Sequence, residues 1–218
     1  MSISENLKNV KSQLPPGVVL VAVSKTKPVR ELMEAYGSGQ RIFGENKIQE
    51  MESKWREMPK DIQWHMIGHV QTNKVKYMAP FVSLIHAVDS LKLLKEINKQ
   101  AKKNDRVIKC LLQIKIAAEE SKFGLDGATA ASLLASEEVQ GLQNIKIVGL
   151  MGMGTFTNDV EQLQSEFQTL KKPYDQFKQT YNLSVLSMGM SADYDLAIKN
   201  GSTMVRVGSS IFGTRNYS

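Results

Sequence analysis

The sequence predicts an α/β protein folded as a (β/α)8 TIM-type barrel with an additional N-terminal helix. Short apolar or β-branched runs alternate with longer segments of helical spacing, which is typical of a parallel sheet with crossover helices. Eight such units fit within 218 residues, and barrels of this kind occupy about 200 to 250 residues. Because no change of composition and no low-complexity linker divides the chain, we expect one domain over residues 1–218.

The strands are predicted from apolar runs bounded by polar, glycine or proline residues. The first run, VVLVAV, is the strongest, and the fifth is long and rich in isoleucine and leucine. The eight predicted strands cover residues 18–23, 41–43, 62–67, 82–87, 107–116, 145–150, 183–187 and 203–207.

The helices are predicted from their spacing and from residues that start or stop helices. Pro28 opens one helix, Asp89 and Ser90 cap another, and Asn200 with Gly201 ends a third. The predicted helices cover residues 1–14, 29–39, 45–58, 72–78, 91–103, 127–137, 159–180 and 191–199, and a last turn starts at 209.

The composition excludes several classes of protein. The polar N-terminus lacks the apolar core of a signal peptide, and no apolar stretch approaches the roughly 20 residues of a membrane span. The single cysteine, Cys110, lies in an apolar run and is predicted to be a small buried side chain. Because one cysteine cannot form an intramolecular disulfide, a reducing compartment is expected. We therefore expect a cytoplasmic protein that is not bound to a membrane. The net charge of +6 is spread along the chain without interleaved aromatic residues, so nucleic acid is not an expected partner.

In a parallel barrel, functional residues lie at the carboxyl ends of the strands. That rule selects eight places before any family is considered. They are Ser24 to Thr26, Gly44 to Asn46, Gly68 with His69, His86 with Asp89, residues 119–124, Met151 to Thr155, Ser187 to Ser191, and Arg206 to Ser210.

Lys25 follows the first strand directly. Apolar walls at a barrel mouth lower the pKa of a lysine and make its amine a nucleophile toward aldehydes. The alternatives are a surface lysine or a phosphate ligand. Lys27 is a rival two residues later, although the following Pro28 favours a side chain that points into the loop.

Two glycine- and serine-rich segments follow the seventh and eighth predicted strands. Barrels often bind phosphate in these two loops, through backbone amides and hydroxyls. Each segment alone is a common turn, but the pair predicts a phosphate site. Its candidate residues are Ser187, Gly189, Ser191, Gly208 and Ser209.

The remaining candidates have structural alternatives. Arg206 ends the eighth strand and is either a ligand contact or half of a salt bridge at the rim. Glu45 and Asn46 are either contacts to a ligand ring or helix-capping residues. His65 and His69 straddle a strand end without a third ligand at matching spacing, so no metal site is expected.

Seven segments carry recognisable motifs: VAVSKTKP (21–28), FGENKIQE (43–50), WHMIGHVQTNK (64–74), SKFGL (121–125), GLMGMGT (149–155), LSMGMSADYDLAI (186–198) and GSTMVRVGSSIFGTR (201–215). Their joint occurrence in this order resembles the pyridoxal 5'-phosphate (PLP) homeostasis protein family. That resemblance implies a barrel like the N-terminal domain of alanine racemase, with PLP as the cofactor.

The resemblance also implies roles for individual residues. Lys25 would hold PLP as a Schiff base, Arg206 would face the pyridine nitrogen, and Asn46 would lie beside the ring. Ser187, Gly189, Ser191, Gly208 and Ser209 would hold the phosphate. Ser209 stands where many relatives have threonine, which keeps the hydroxyl.

The expected function is PLP binding for vitamin B6 homeostasis, without catalysis. Arginine does not readily protonate the pyridine nitrogen, which makes PLP a poorer electron sink. The chain ends soon after the eighth unit, without the racemase domain that supplies a second acid/base group. A tyrosine of the barrel, such as Tyr77 or Tyr194, is the alternative source of that group, although nothing in the sequence places one there. We expect a monomer with PLP as its ligand and apo PLP-enzymes as possible recipients. The alternatives are a small amino-acid racemase, a Schiff-base lyase acting on a phosphorylated sugar, and a nucleic-acid binder.

Overall fold

The computed structural model describes residues 2–117 and 123–213. The strands of this part of the chain are β1 (Val19–Val23), β2 (Ile42–Glu45), β3 (Gln63–Met66), β4 (Val82–Val88), β5 (Ile108–Gln113), β6 (Ile145–Met151), β7 (Val185–Met190) and β8 (Met204–Val207). The α-helices are α1 (Ile3–Gln13), α2 (Val29–Gly37), α3 (Ile48–Glu57), α4 (Val75–Met78), α5 (Leu91–Lys103), α6 (Gly127–Ala135), α7 (Glu137–Gln140), α8 (Val160–Phe177), α9 (Tyr194–Lys199) and α10 (Ser209–Phe212).

The strands form one closed barrel in chain order, β1 to β8, and every neighbouring pair is parallel. The pairing of β1 with β8 closes the barrel and sets Val21 beside Arg206. The predicted (β/α)8 barrel with an N-terminal helix is therefore confirmed. Because all strands run the same way, their carboxyl ends meet at one rim.

Strand ends differ from the predicted ones where pairing with a neighbour extends or shortens a run. β2 continues to Glu45, which pairs with Met66 of β3, although the sequence predicts a helix from Glu45. β7 continues to Met190, which pairs with Arg206 of β8. β5 ends at Gln113, three residues before the predicted end.

The core has two parts. The larger lies between the barrel and its helices and contains the fully buried Phe43, Trp64 and Phe167. The smaller fills the barrel interior with residues such as Val21 and Leu84. Cys110 is fully buried, as predicted, and burial raises the pKa of its thiol to about 12. Among the described residues, no helix has both the length and the apolarity that a membrane crossing requires.

Candidate functional site

A cavity of about 750 Å³ opens at the carboxyl-end rim of the barrel. It draws residues from the loops that follow most of the strands, as expected for a parallel barrel. Six of the eight predicted site residues line it: Lys25, Asn46, Ser191, Arg206, Gly208 and Ser209.

Lys25 and Lys27 both line the cavity, and Lys27 is also bonded to the surrounding helices. The ammonium of Lys27 donates to the carbonyl oxygen of Phe212 at 2.7 Å. It also lies 3.6 Å from the carboxylate of Glu31. Lys27 therefore joins the start of α2 to the end of α10. Although the following proline predicted a Lys27 side chain that points into the loop, Lys27 lines the cavity as Lys25 does.

The two glycine- and serine-rich segments meet at the rim. The hydroxyl of Ser191, after β7, accepts a hydrogen bond of 3.0 Å from the amide of Gly208, after β8. A Cβ on Gly208 would lie 3.1 Å from the carbonyl oxygen of Val23, so glycine lets this turn pack against the end of β1. Ser209 then begins α10, and the first amides of a helix lack partners within it. Amide and hydroxyl donors therefore lie together beside the β1 loop that carries Lys25.

Ser187 and Gly189 require a correction, because the structure places both inside β7 and not in a loop. Ser187 is fully buried in the barrel interior, where its hydroxyl bonds protein groups. Gly189 has a φ of +92°, and a Cβ there would lie 2.6 Å from the Cβ of Ala197 in α9. The register of β7 against β8 shifts between Ser187 and Met190. A glycine at this shift lets β7 continue to Met190, past the end of its apolar run. Neither residue lines the cavity.

Arg206 lines the cavity and is 3% exposed. Its guanidinium donates to the carbonyl oxygen and the hydroxyl of Ser187 at 3.0 and 2.6 Å, and to the carbonyl oxygen of Gly152 at 2.9 Å. Burial lowers the pKa of Arg206 to about 10, and the carboxylate of Asp193 opposes that effect. The side chain therefore stays a cation at neutral pH in a fixed orientation, and the predicted rim salt bridge is replaced by bonds to neutral acceptors.

A polar column runs from Arg206 into the barrel. The hydroxyl of Ser187 lies 3.2 Å from Nδ1 of His86, and Nε2 of His86 lies 3.1 Å from Nδ1 of His65. Which atom donates in each of these two contacts depends on the tautomers of His86 and His65. Burial is the main cause that holds the pKa of His86 well below its usual range and lowers that of His65 to about 3. Both rings are therefore neutral.

Asn46 lines the cavity just after β2. Gly68, after β3, packs directly on it, and a Cβ at Gly68 would lie 2.8 Å from the Cα of Asn46 and still closer to its carbonyl oxygen. Any side chain at position 68 would push the backbone of Asn46 toward the cavity. The glycine of the WHMIGH segment thus fixes where Asn46 sits.

We predict that Gly68→Ala displaces Asn46 and reshapes this side of the cavity. Since the conflict is with backbone atoms, the cost is about 1 to 3 kcal/mol in the free energy of unfolding. The backbone amide resonance of Asn46 should shift in NMR spectra, and the affinity for PLP should fall. Gly127→Ala is the control, because a Cβ there meets nothing within 4 Å. Unchanged resonances around Asn46 in Gly68→Ala would contradict the prediction.

Several cavity residues were not among the predicted contacts. His69 stacks on Phe123, with ring centroids 4.1 Å apart, and its Nδ1 lies 3.5 Å from the carboxylate of Asp89. Thr155 and Asp193 also line the cavity. His69 and Asp89 both follow strand ends, so position could have paired them, whereas nothing local indicates the stacking of His69 on Phe123. Of the SKFGL motif, Ser121 and Lys122 lie outside the described residues.

Neither tyrosine considered as a second acid/base group lines the cavity. Tyr77 is 44% exposed on α4. Tyr194 is buried, and its hydroxyl donates to Gln13 of α1. His69, by contrast, lines the cavity and has a carboxylate partner in Asp89.

Comparison with known proteins places this site in a family. Residues 1–216 match the family described as alanine racemase, N-terminal domain. The chain belongs to this family. Among its curated relatives, the human pyridoxal phosphate homeostasis protein is 42% identical over 214 residues, with 91% of this chain and 77% of the human protein covered. The protein of the same name from Aquifex aeolicus is 38% identical over 201 residues, with coverage of 91% and 87%.

Solved structures of other proteins agree with this chain in fold. PipY of Synechococcus elongatus PCC7942, solved with PLP bound, superposes with a TM-score of 0.89 at 36% identity, over 97% of this chain and all of that chain. An alanine racemase of Clostridium difficile 630 gives a TM-score of 0.83 at 15% identity, over the whole of this chain and 61% of that chain. The similarity to this alanine racemase shows only that the two proteins share the barrel fold.

Proposed function

We propose that this chain binds PLP as a Schiff base on Lys25 and serves intracellular PLP homeostasis. The observation that carries the proposal is the meeting of Lys25 with Ser191, Gly208 and Ser209 in one cavity. An amine and a set of phosphate donors are the two features that a phosphorylated aldehyde requires. Relatives named for PLP homeostasis, and a neighbour solved with PLP, support the choice of this aldehyde.

The residues present fit the cofactor. The hydroxyls of Ser191 and Ser209, with the first amides of α10, would bind the phosphate. Arg206, held by Ser187 and Gly152, would meet the pyridine nitrogen as a cation and leave it unprotonated. When bound, PLP would supply an aldehyde that condenses with amines with loss of one water, and Lys25 would present the amine for that condensation.

We propose a carrier and not a catalyst. A cation at the pyridine nitrogen weakens PLP as an electron sink, and the two candidate tyrosines lie away from the cavity. A monomeric state, a cytoplasmic location and delivery of PLP to apo-enzymes complete the proposal, and these three parts are supported by the sequence expectations alone.

Trapping the adduct tests the attachment. Purified protein incubated with PLP should absorb in the visible range, and borohydride should fix the cofactor on the peptide that contains Lys25. We expect Lys25→Ala to lose the label almost completely, because Lys27, the other described lysine in the cavity, is bonded to Phe212 and lies beside Glu31. Lys27→Ala is the matched control and should remain labelled. A label that stays on Lys25→Ala, or a wild-type protein that takes up no PLP, would refute the proposal.

One observation favours a second candidate, a small PLP-dependent amino-acid racemase. His69, paired with Asp89, lies in the cavity and could exchange a proton with a bound amino acid. A chirality-sensitive assay over a panel of amino acids separates the two functions. Conversion that requires both Lys25 and His69 would favour the racemase, whereas interconversion at the background rate supports the carrier.

A further inference from the structure

A buried ion cluster lies directly behind the Lys25 turn. The Lys54 ammonium, on α3, lies 2.7 Å from the carboxylate of Glu45 and 2.8 Å from that of Glu50. The side chain of Lys54 is 7% exposed and that of Glu45 is fully buried. In sequence, Lys54 sits in a charged helical segment that resembles a solvated surface, so only the folded barrel reveals the cluster.

The cluster forms hydrogen bonds with the residues on both sides of Lys25. The ammonium of Lys54 donates to the carbonyl oxygen of Ser24 at 2.8 Å, and the Ser24 hydroxyl donates to Glu45 at 2.6 Å. The backbone amide of Thr26 donates to Glu50 at 2.6 Å. Each chain neighbour of Lys25 is therefore bonded to a member of the cluster, while Lys25 itself lines the cavity.

The turn needs such support, because Thr26 has a φ of +64°. A β-branched residue rarely adopts this left-handed conformation, and it persists only where the surroundings enforce it. The buried charges that enforce this conformation also carry a desolvation cost. A buried ion pair is weak evidence for stability, since desolvation of the charges offsets their attraction. Burial accordingly raises the pKa of the Glu45 carboxyl, against the effect of the Lys54 ammonium.

The buried charges and the strained turn lie next to Lys25, which lines the cavity together with the phosphate donors Ser191 and Ser209. We propose that Lys54, with Glu45 and Glu50, is a positioning site that holds the Ser24–Thr26 turn and presents the Lys25 amine to the cavity. This inference rests on the proposed attachment of PLP at Lys25. The cluster touches neither the cavity nor the cofactor directly, so it acts through the backbone of the turn.

Lys54→Met tests the proposal by removing the charge while keeping most of the side-chain volume. We expect labelling of Lys25 by PLP and borohydride to slow at least tenfold per folded molecule. We also expect hydrogen exchange at the Thr26 amide to accelerate at least tenfold in the PLP-free protein. Lys171→Met is the matched control, because Lys171 pairs with Asp175 on α8, away from the cavity. It should leave both readouts at wild-type values.

Two further variants separate positioning from folding. Glu50→Gln weakens the bonds to Thr26 and Lys54 and keeps the pair of Lys54 with Glu45. Because the Glu50 carboxylate is 24% exposed, this variant should slow labelling while the thermal midpoint changes little. Lys54→Met combined with Glu45→Gln and Glu50→Gln removes the buried charges, and should recover stability relative to Lys54→Met while labelling stays slow.

The outcomes distinguish this proposal from the proposed function. If wild-type Lys25 is labelled and the folded Glu50→Gln and Lys54→Met proteins are labelled equally fast, the positioning role is wrong. If wild-type Lys25 takes no label, the proposed function is wrong. The exchange of the Thr26 amide would still report whether the cluster holds the turn.

Discussion

Replacing Gly149 by alanine is expected to lower the free energy of unfolding by more than about 4 kcal/mol. A Cβ at this position would overlap the carbonyl oxygen of Val185 and lie 2.6 Å from its carbonyl carbon. Gly149 of β6 and Val185 of β7 are register partners in the closed barrel. Because both conflicting groups are backbone atoms of paired strands, the clash can be relieved only by separating β6 from β7.

Chemical unfolding followed by circular dichroism measures this effect. Gly127→Ala is the control, because it places the same methyl group at the first residue of α6, where nothing lies within 4 Å. It should unfold at the wild-type denaturant concentration or slightly above it, because alanine is the better helix former. If Gly149→Ala had wild-type stability, β6 and β7 could separate at little cost in free energy, and the prediction would be wrong.

The second large effect is a loss of stability in acid, caused by the buried histidine pair. His65 and His86 are neutral in the folded protein because burial lowers their pKa values, that of His65 to about 3. The unfolded chain binds protons at these rings as the pH falls below 6.5. The free energy of unfolding should therefore decrease by about 1.4 kcal/mol per pH unit for each histidine. This stability is complete above pH 6.5 and is lost as the pH falls toward about 3.

Unfolding curves recorded at steps from neutral to mildly acidic pH test the assignment. His65→Gln and His86→Gln should each be less stable than wild type at neutral pH and should each lose less stability on acidification. Leu84→Ala is the control: it also removes atoms from the barrel interior but carries no titratable group. It should lower stability equally at every pH, with the wild-type slope. Equal slopes in all four proteins would contradict the assignment of two neutral histidines.

The predicted strands and helices were largely correct because the side chains of each apolar run must be buried in the core, whichever elements lie next to them. Their ends were not, because an end is set by pairing. β2 reaches Glu45 because Met66 lies opposite, and β7 reaches Met190 because Arg206 does. That extension placed Gly189, predicted in the loop after the seventh strand, inside β7, and it placed Ser187 within the strand and not at its end.

The sequence alone determined the barrel, its rim and the residue types gathered there, including Lys25, Ser191 and Ser209, because parallel strands bring their carboxyl ends to one side. Tertiary structure decided which way each strand residue points, since a shift of one residue reverses the face. It turned Ser187 inward to His86 and Arg206. It also set Lys54 behind Lys25, a contact between a helix and a distant turn that no local pattern encodes.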